Sequence, residues 1–182
     1  LRAKRIPFTA LDISPDQVKQ VRRFGNEAYF GDATRLDILE AARTAKASAF
    51  VLAIDDVEAS LKVAELLRTH FPNVPVYARA RNRQHVYRLM DLGVTKLRRE
   101  TFLSSIELTR DLLAGLGLDK TEIDRTVTAF ISHDRRRLYD DYAFFSDSEK
   151  MQTRVRDAAA ELETILNADE QAERERAGDQ KI

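Results

Sequence analysis

An alternation restricts this sequence more than any other feature. As far as about Gly117, short apolar runs take turns with stretches of helical periodicity. Ile6 to Asp12 reads as a strand ending in a carboxylate. Ser14 then supplies an N-cap, with Pro15 at the first helical position. Val18, Val21 and Phe24 give that helix an apolar face, and Gly25 ends it. Glu27 to Phe30 is a short strand closed by Gly31-Asp32, and Thr34 stands where it can cap the next helix. Ala49 to Ile54 is unbroken apolar sequence, the pattern of a strand covered on both faces. Asp55-Asp56 follow it, then a helix carrying Leu61, Ala64 and Leu67. Val74 to Ala78 and Val94 to Leu97 are further strands, and Thr101 is placed to cap a helix bearing Leu103, Ile106, Leu112 and Leu113. Strict alternation of this kind demands parallel strands joined by crossover helices, so the fold class is α/β with an open parallel sheet.

In such sheets ligands sit beyond the carboxyl ends of the strands. Those ends are Asp12, Gly31-Asp32, Asp55-Asp56, Arg79 and Arg99. Asp12 either holds ribose hydroxyls or forms part of the Asp-x-Ser-Pro-Asp helix entry. Asp32 either accepts from an adenine amino group or caps its helix, while Gly31 lets the backbone approach a flat ring. Asp55-Asp56 has the same two readings, ligand or cap. Arg79, Arg81 and Arg99 make a basic cluster that suits a carboxylate or phosphate. The residues themselves favour the alternative, ion pairs to Glu100 or to the Asp side chains across the sheet edge. The glycine fingerprint of dinucleotide binding is missing and is expected upstream of Leu1, with Leu1 to Arg5 as the tail of the helix that follows it.

Composition narrows the function classes. The chain has 182 residues, no cysteine, and thirty basic against thirty acidic side chains. That excludes a disulfide scaffold, a zinc–thiolate site and a thiol nucleophile. The neutral balance argues against nucleic acid as a partner. No apolar run approaches the length of a bilayer span, and no targeting segment opens the chain. Beginning inside a structured pattern, it reads as a piece of a longer polypeptide. His70, His85 and His133 lack metal spacing and read as surface or interface histidines. With no P-loop and no nucleophile elbow, catalysis is not expected.

After Gly117 the sequence is helical and charge-rich. Thr121 to Asp124 resembles a capping box, and Ile123, Val127, Phe130 and Ile131 form an apolar face. Arg135-Arg136-Arg137 with Asp140-Asp141 reads as a solvated or intersubunit charge stripe. Tyr139, Tyr142, Phe144 and Phe145 are too many aromatics for an exposed segment. Met151, Val155, Leu162, Ile165 and Leu166 continue at helical spacing and need a partner, the sheet or a second subunit. The expected organisation is a nucleotide-binding domain over 1–117, a helical extension over 118–168 and a disordered tail over 169–182.

Several segments together resemble a known family. Arg23-Phe24-Gly25, Tyr29-Phe30-Gly31-Asp32-Ala33-Thr34-Arg35, Ala53-Ile54-Asp55-Asp56, Ala78-Arg79-Ala80-Arg81 and Arg99-Glu100-Thr101-Phe102 run in the order seen in Kef-type, glutathione-gated potassium efflux proteins. The resembling part is their cytoplasmic KTN (RCK, or TrkA-N) domain, and it covers the chain to roughly Tyr142. The resemblance implies a Rossmann-like regulator whose first strand lies outside this chain, with a helical dimerisation extension. It implies a homodimer attached to a membrane potassium:proton antiporter of the same polypeptide, at the cytoplasmic face of the bacterial inner membrane. It implies AMP or NAD(H) as cofactor, with Asp12, Asp32, Ala33, Thr34 and Asp55 as nucleotide-site residues. It also implies glutathione as a gating ligand. Arg99 matches the glutathione-binding arginine and Phe24 the aromatic that adducts displace, while Asp134 falls where glutathione-gated members carry Asn. The alternatives are a free-standing Trk-type NAD-binding subunit and a fragment of an NAD-dependent dehydrogenase.

Overall fold

The structure is a computed structural model and describes residues 1–25 and 27–179. It divides into two compact units, Leu1–Glu100 and Thr101–Ile182. The division falls ahead of the boundary expected near Gly117, because the helix after the last strand packs with the helix that follows it.

The first unit contains β1 (Leu11–Asp12), α1 (Pro15–Arg23), β2 (Tyr29–Phe30), α2 (Leu36–Ala41), β3 (Phe50–Leu52), α3 (Val57–His70), β4 (Val76–Ala80), α4 (Arg83–Asp91) and β5 (Lys96–Arg99). Every strand pairing is parallel, β1 with β2 and, separately, β3–β4–β5 in that order. The first strand is shorter than its apolar run, with no strand from Ile6 to Ala10. Pro7 has no N–H to give a ladder, and Ile6 and Phe8 remain exposed. Arg2–Lys4 forms one 3-10 turn, followed by Arg5, whose φ is 53°.

Pleating decides which side chains form the core. Leu52, Ala78 and Ala80 point to the side packed by α3 and α4, and all three are buried. They meet Leu61, Val63, Ala64, Leu67, Val86, Tyr87 and Leu89 from those helices. Val51, Tyr77 and Lys96 stand in register on the other side. Val51 is 66% exposed, so within this unit β3 is covered on one face and not on both. The helix entries follow side-chain chemistry. Ser14 Oγ accepts from Gln17 N at 3.3 Å, Asp56 Oδ1 from Ala59 N at 2.7 Å and Asn82 Oδ1 from His85 N at 2.9 Å. Thr34 does not cap α2; Arg35 holds that position without a side-chain cap bond.

The second unit holds α5 (Phe102–Gly115), α6 (Lys120–Asp140), a 3-10 turn (Tyr142–Phe144) and α7 (Ser148–Asp179). Ile106, Ile123 and Val127 form its buried centre, flanked by Phe102, Leu113, Leu118 and Ile131. Thr101 makes no side-chain cap bond; its carbonyl accepts from Ser104 and Ser105 hydroxyls. The cap of α6 is Asp119, which accepts from Thr121 N and Glu122 N at 2.7 and 3.1 Å, and not Thr121. Tyr142 stacks on Phe145, and Arg154 lies 4.7 Å over the Phe144 ring, but Tyr139 is exposed. α7 reaches Asp179, past 169 where a disordered tail is expected. Ala, Glu, Gln and Arg dominate that stretch and are strong helix formers; residues 180–182 of the expected tail lie outside the described residues. Among the described residues no helix is long and apolar enough to cross a membrane.

Candidate functional site

The carboxyl ends of β1 and β2 lie side by side. Gly31 N donates to Asp12 O at 3.0 Å, extending the ladder one step past the paired residues. Asp12 Oδ1 accepts from Ser14 N at 2.8 Å, so Asp12 does take part in the helix entry. Asp32 Oδ1 accepts from Thr34 N at 2.9 Å. The backbone and hydroxyl of Thr34, aided by Lys62 and Arg35, hold the Asp32 carboxyl below the usual carboxylate range. Ala33 and Thr34 are half-buried in the turn. The Oδ1 of each acid thus closes a local turn, and Asp32 is bonded by the Thr34 hydroxyl as well. Two acceptors on adjacent strand tips fit the hydroxyls and amino group of a nucleoside, whereas no Gly-x-Gly-x-x-Gly phosphate cradle occurs in the sequence.

Gly31 itself has a packing cause. A Cβ there would meet Ile38 Cγ2 at 2.9 Å and Leu11 Cδ2 at 3.6 Å. The residue lets α2 sit against the β1 tip, a role the sequence does not reveal. Phe24 is the C-cap of α1 and is 72% exposed. Nearby, Arg22 Nε donates to Ala28 O at 2.8 Å and the guanidinium lies over Tyr29.

The tips of β3, β4 and β5 carry an ion cluster. Arg79 Nη2 donates to Ala53 O at 2.7 Å and also binds Asp55. Arg79 Nη1 donates to Glu100 Oε1 at 3.0 Å, and Arg81 Nη1 to Glu100 Oε2 at 2.6 Å. The ion-pair reading of Arg79 and Arg81 is therefore the observed one. The third arginine of the expected cluster separates from them. Arg99 pairs in register with Ala80, so the pleat sends it to the side opposite Arg79 and Arg81. Asp56 is a helix cap and Asp55 an arginine partner.

Two of the histidines expected at the surface or an interface are buried within this chain. His85 is buried, and its Nδ1 accepts from Arg81 N at 3.2 Å. Burial lowers its pKa, with Arg88 adding to the effect and Glu58 opposing it. The signal was the inward spacing it shares with Val86 and Leu89. His133 is buried on α6 and faces Glu161 at 3.4 Å. Asp134, also buried, lies on α6 in the second unit, whereas Arg99 and Phe24 belong to the first. Arg137, expected in a solvated or intersubunit stripe, is buried within this chain. It donates to Arg154 O at 2.5 Å and stands 3.4 Å from Asp141. No group of metal-ligating side chains assembles among the described residues.

The family profile of the TrkA-N domain matches residues 1–99. The chain belongs to the TrkA-N family. The profile of the potassium efflux system KefB C-terminal domain matches residues 104–181, and the chain is a Kef-type member in both parts. The glutathione-regulated potassium-efflux system protein KefC of Cronobacter sakazakii is 34% identical over 169 residues, covering 93% of this chain and 27% of that protein. The protein of the same description from Salmonella arizonae is 42% identical over 122 residues, 67% of this chain and 20% of its own length. This chain thus spans only 20% and 27% of these two relatives. Among solved structures, the Shewanella denitrificans Kef CTD in AMP-bound form is 37% identical with a TM-score of 0.69, over 78% of this chain and 85% of that one. The TrkA-N domain of the inner membrane protein ybaL from Escherichia coli, 23% identical with a TM-score of 0.53 over 64% of this chain and 83% of its own, shares the fold. The parallel α/β class expected from the alternation, and the Rossmann-like fold implied by the resemblance, are the fold observed.

Proposed function

We propose that this chain is the ligand-sensing regulatory part of a potassium:proton antiporter of the Kef type, with AMP or NAD(H) as its nucleotide and without catalysis of its own. The observation that carries this reading is continuity. A TrkA-N match over 1–99 runs directly into a Kef C-terminal match over 104–181, and the neighbour of 37% identity binds AMP. Asp12 takes the ribose hydroxyls and Asp32 the base, with Ala33, Thr34 and Asp55 around them. The nucleotide supplies binding energy and no reaction. Arg99 is the arginine that holds glutathione, Phe24 the ring that a bulky sulfur substituent displaces, and Asp134 a further gating position. The assembly is a homodimer serving a membrane antiporter domain of the same polypeptide, at the cytoplasmic face of the inner membrane. Regulation then requires that ligands bind two dimer arrangements with different affinity.

Thermal unfolding with added AMP or NADH tests this. A nucleotide at a hundredfold excess over its Kd stabilises by about 2.7 kcal/mol, a rise of roughly 5–11 °C at about 2–4 °C per kcal/mol for a chain of this size. Asp12→Ala reduces that rise; an equal rise in the variant removes the ribose role. Calorimetry with glutathione gives heat with the wild type and none with Arg99→Ala, and equal heats would dispose of the glutathione reading.

A further inference from the structure

The cation pair at the tip of β4 is closed by a side chain of the same chain. Arg79 and Arg81 are two residues apart along a strand direction, so both project to one side of the sheet. Arg98 stands in register with Arg79 and shares that side, and Glu100 follows two residues later. Glu100 N donates to Ala80 O at 2.9 Å, which carries the ladder alternation one residue beyond β5. Its carboxylate then takes one guanidinium on each oxygen, Arg79 at 3.0 Å and Arg81 at 2.6 Å. This is the way a bound carboxylate bridges two arginines. Arg98 donates to Leu97 O. The charges named on this side are thus Arg79, Arg81 and Arg98 against Asp55 and Glu100, a cationic excess that grows once Glu100 leaves.

We propose that Arg79 and Arg81 form an oxyanion-binding fork that Glu100 occupies as an internal ligand, and that the carboxylate or phosphate of a small metabolite takes its place. The pairs are open to exchange: the side chains of Arg79, Arg81 and Glu100 are 34%, 47% and 24% exposed. Ion pairs with that much solvent contribute little and are screened by salt. Glu100 nevertheless competes at the high effective concentration of a tethered group, so only a ligand with further contacts displaces it. Glu100 is the last residue of the first unit and is followed directly by Thr101. Asp12 and Asp32 take no part in the fork, and the nucleotide reading meets it only at Asp55, the partner of Arg79.

The test titrates the chain with glutathione, with AMP and with inorganic phosphate. Removing the internal competitor by Glu100→Gln tightens binding of at least one probe about tenfold or more. Glu100→Gln combined with Arg81→Gln loses that gain. Glutathione responding alone identifies a carboxylate ligand; phosphate or AMP responding identifies a phosphate. No tightening for any probe overturns the proposal, as does a gain that survives the loss of Arg81. Should Glu100→Gln not fold, the side-chain N–H signals of Arg79 and Arg81 in the nitrogen-15 spectrum of the wild type report the same exchange. They move on addition of a probe if it occurs, and their constancy at saturating probe refutes it. An AMP stabilisation that disappears only with Asp12→Ala fails or holds separately from these outcomes.

Discussion

Replacing Gly31 by alanine separates a packing role from a ligand-approach role. The added methyl would lie 2.9 Å from Ile38 Cγ2, inside van der Waals contact, and 3.6 Å from Leu11 Cδ2, an ordinary contact. Ile38 Cγ2 is a β-branch methyl on a helix, where χ1 has one strongly preferred setting and cannot swing aside. Overpacking of this kind costs about 1–3 kcal/mol. Alanine recovers about 0.4–1 kcal/mol through its less flexible unfolded chain. A net loss of about 1–2 kcal/mol lowers the unfolding midpoint by roughly 2–8 °C. The decisive partner is Ile38→Leu, which removes Cγ2 while keeping volume and helix propensity. Gly31→Ala with Ile38→Leu should regain most of the lost stability, measured by thermal and denaturant unfolding. If Gly31 mattered only for a ring close to the backbone, the single variant would keep its stability and lose the AMP-induced shift. Unchanged stability in Gly31→Ala, or no recovery in the double variant, refutes the packing argument.

Arg79→Gln severs links to Ala53, Asp55 and Glu100 and should cost about 1–2 kcal/mol in denaturant unfolding, tempered by its partial exposure. The coupling between Arg79 and Glu100 in a double-mutant cycle should be about 0.5–1 kcal/mol at low salt and shrink at high salt; zero coupling at low salt rejects the clasp. His85 gives a pH signature. Its pKa is lowered in the folded chain, so its stabilising effect is complete above the ordinary histidine value and is lost as pH falls from there toward the folded value. Stability should therefore drop below about pH 6.5 with a slope of up to about 1.4 kcal/mol per pH unit. His85→Asn, which keeps an acceptor near the Nδ1 position, should flatten that slope; an identical slope in the variant assigns it to other groups. Asp32, Asp37 and Glu58 have lowered carboxyl pKa values and lose their contributions in a separate, more acidic window.

What the sequence disclosed and what it withheld divide along physical lines. Parallel order followed from alternation, and the caps at Ser14 and Asp56 followed from side chains that bond their own neighbours. The ion pairing of Arg79 and Arg81 with Glu100 was legible because acid and base sit on adjoining strand ends. Contacts that depend on the third dimension were not. The Gly31–Ile38 approach needs the angle between β2 and α2, which no spacing encodes. The separation of Arg99 from Arg79 depends on exact register, since a one-residue slip would reunite them. Arg137 looks like its neighbours Arg135 and Arg136, and only the azimuth of α6 against α7 buries one and exposes the others. The cap of α6 was missed because Asp119 sits in an unremarkable Gly-Leu-Asp-Lys stretch, while Thr121 imitates a capping box.

The Arg137 contacts set the mechanical character of the second unit. Its guanidinium holds a main-chain oxygen of α7, Arg154 O, while the side chain of Arg154 returns to Asp141, just past the end of α6, at 2.7 Å, so Arg154 links the two helices in both directions. Sliding α7 by one turn, about 5.4 Å, would break both links to Arg154, while the Arg137–Asp141 pair, 3.4 Å apart, would persist. That double link favours the observed alignment of the two helices over one shifted by a turn, so the pair behaves as a strut and not a ratchet.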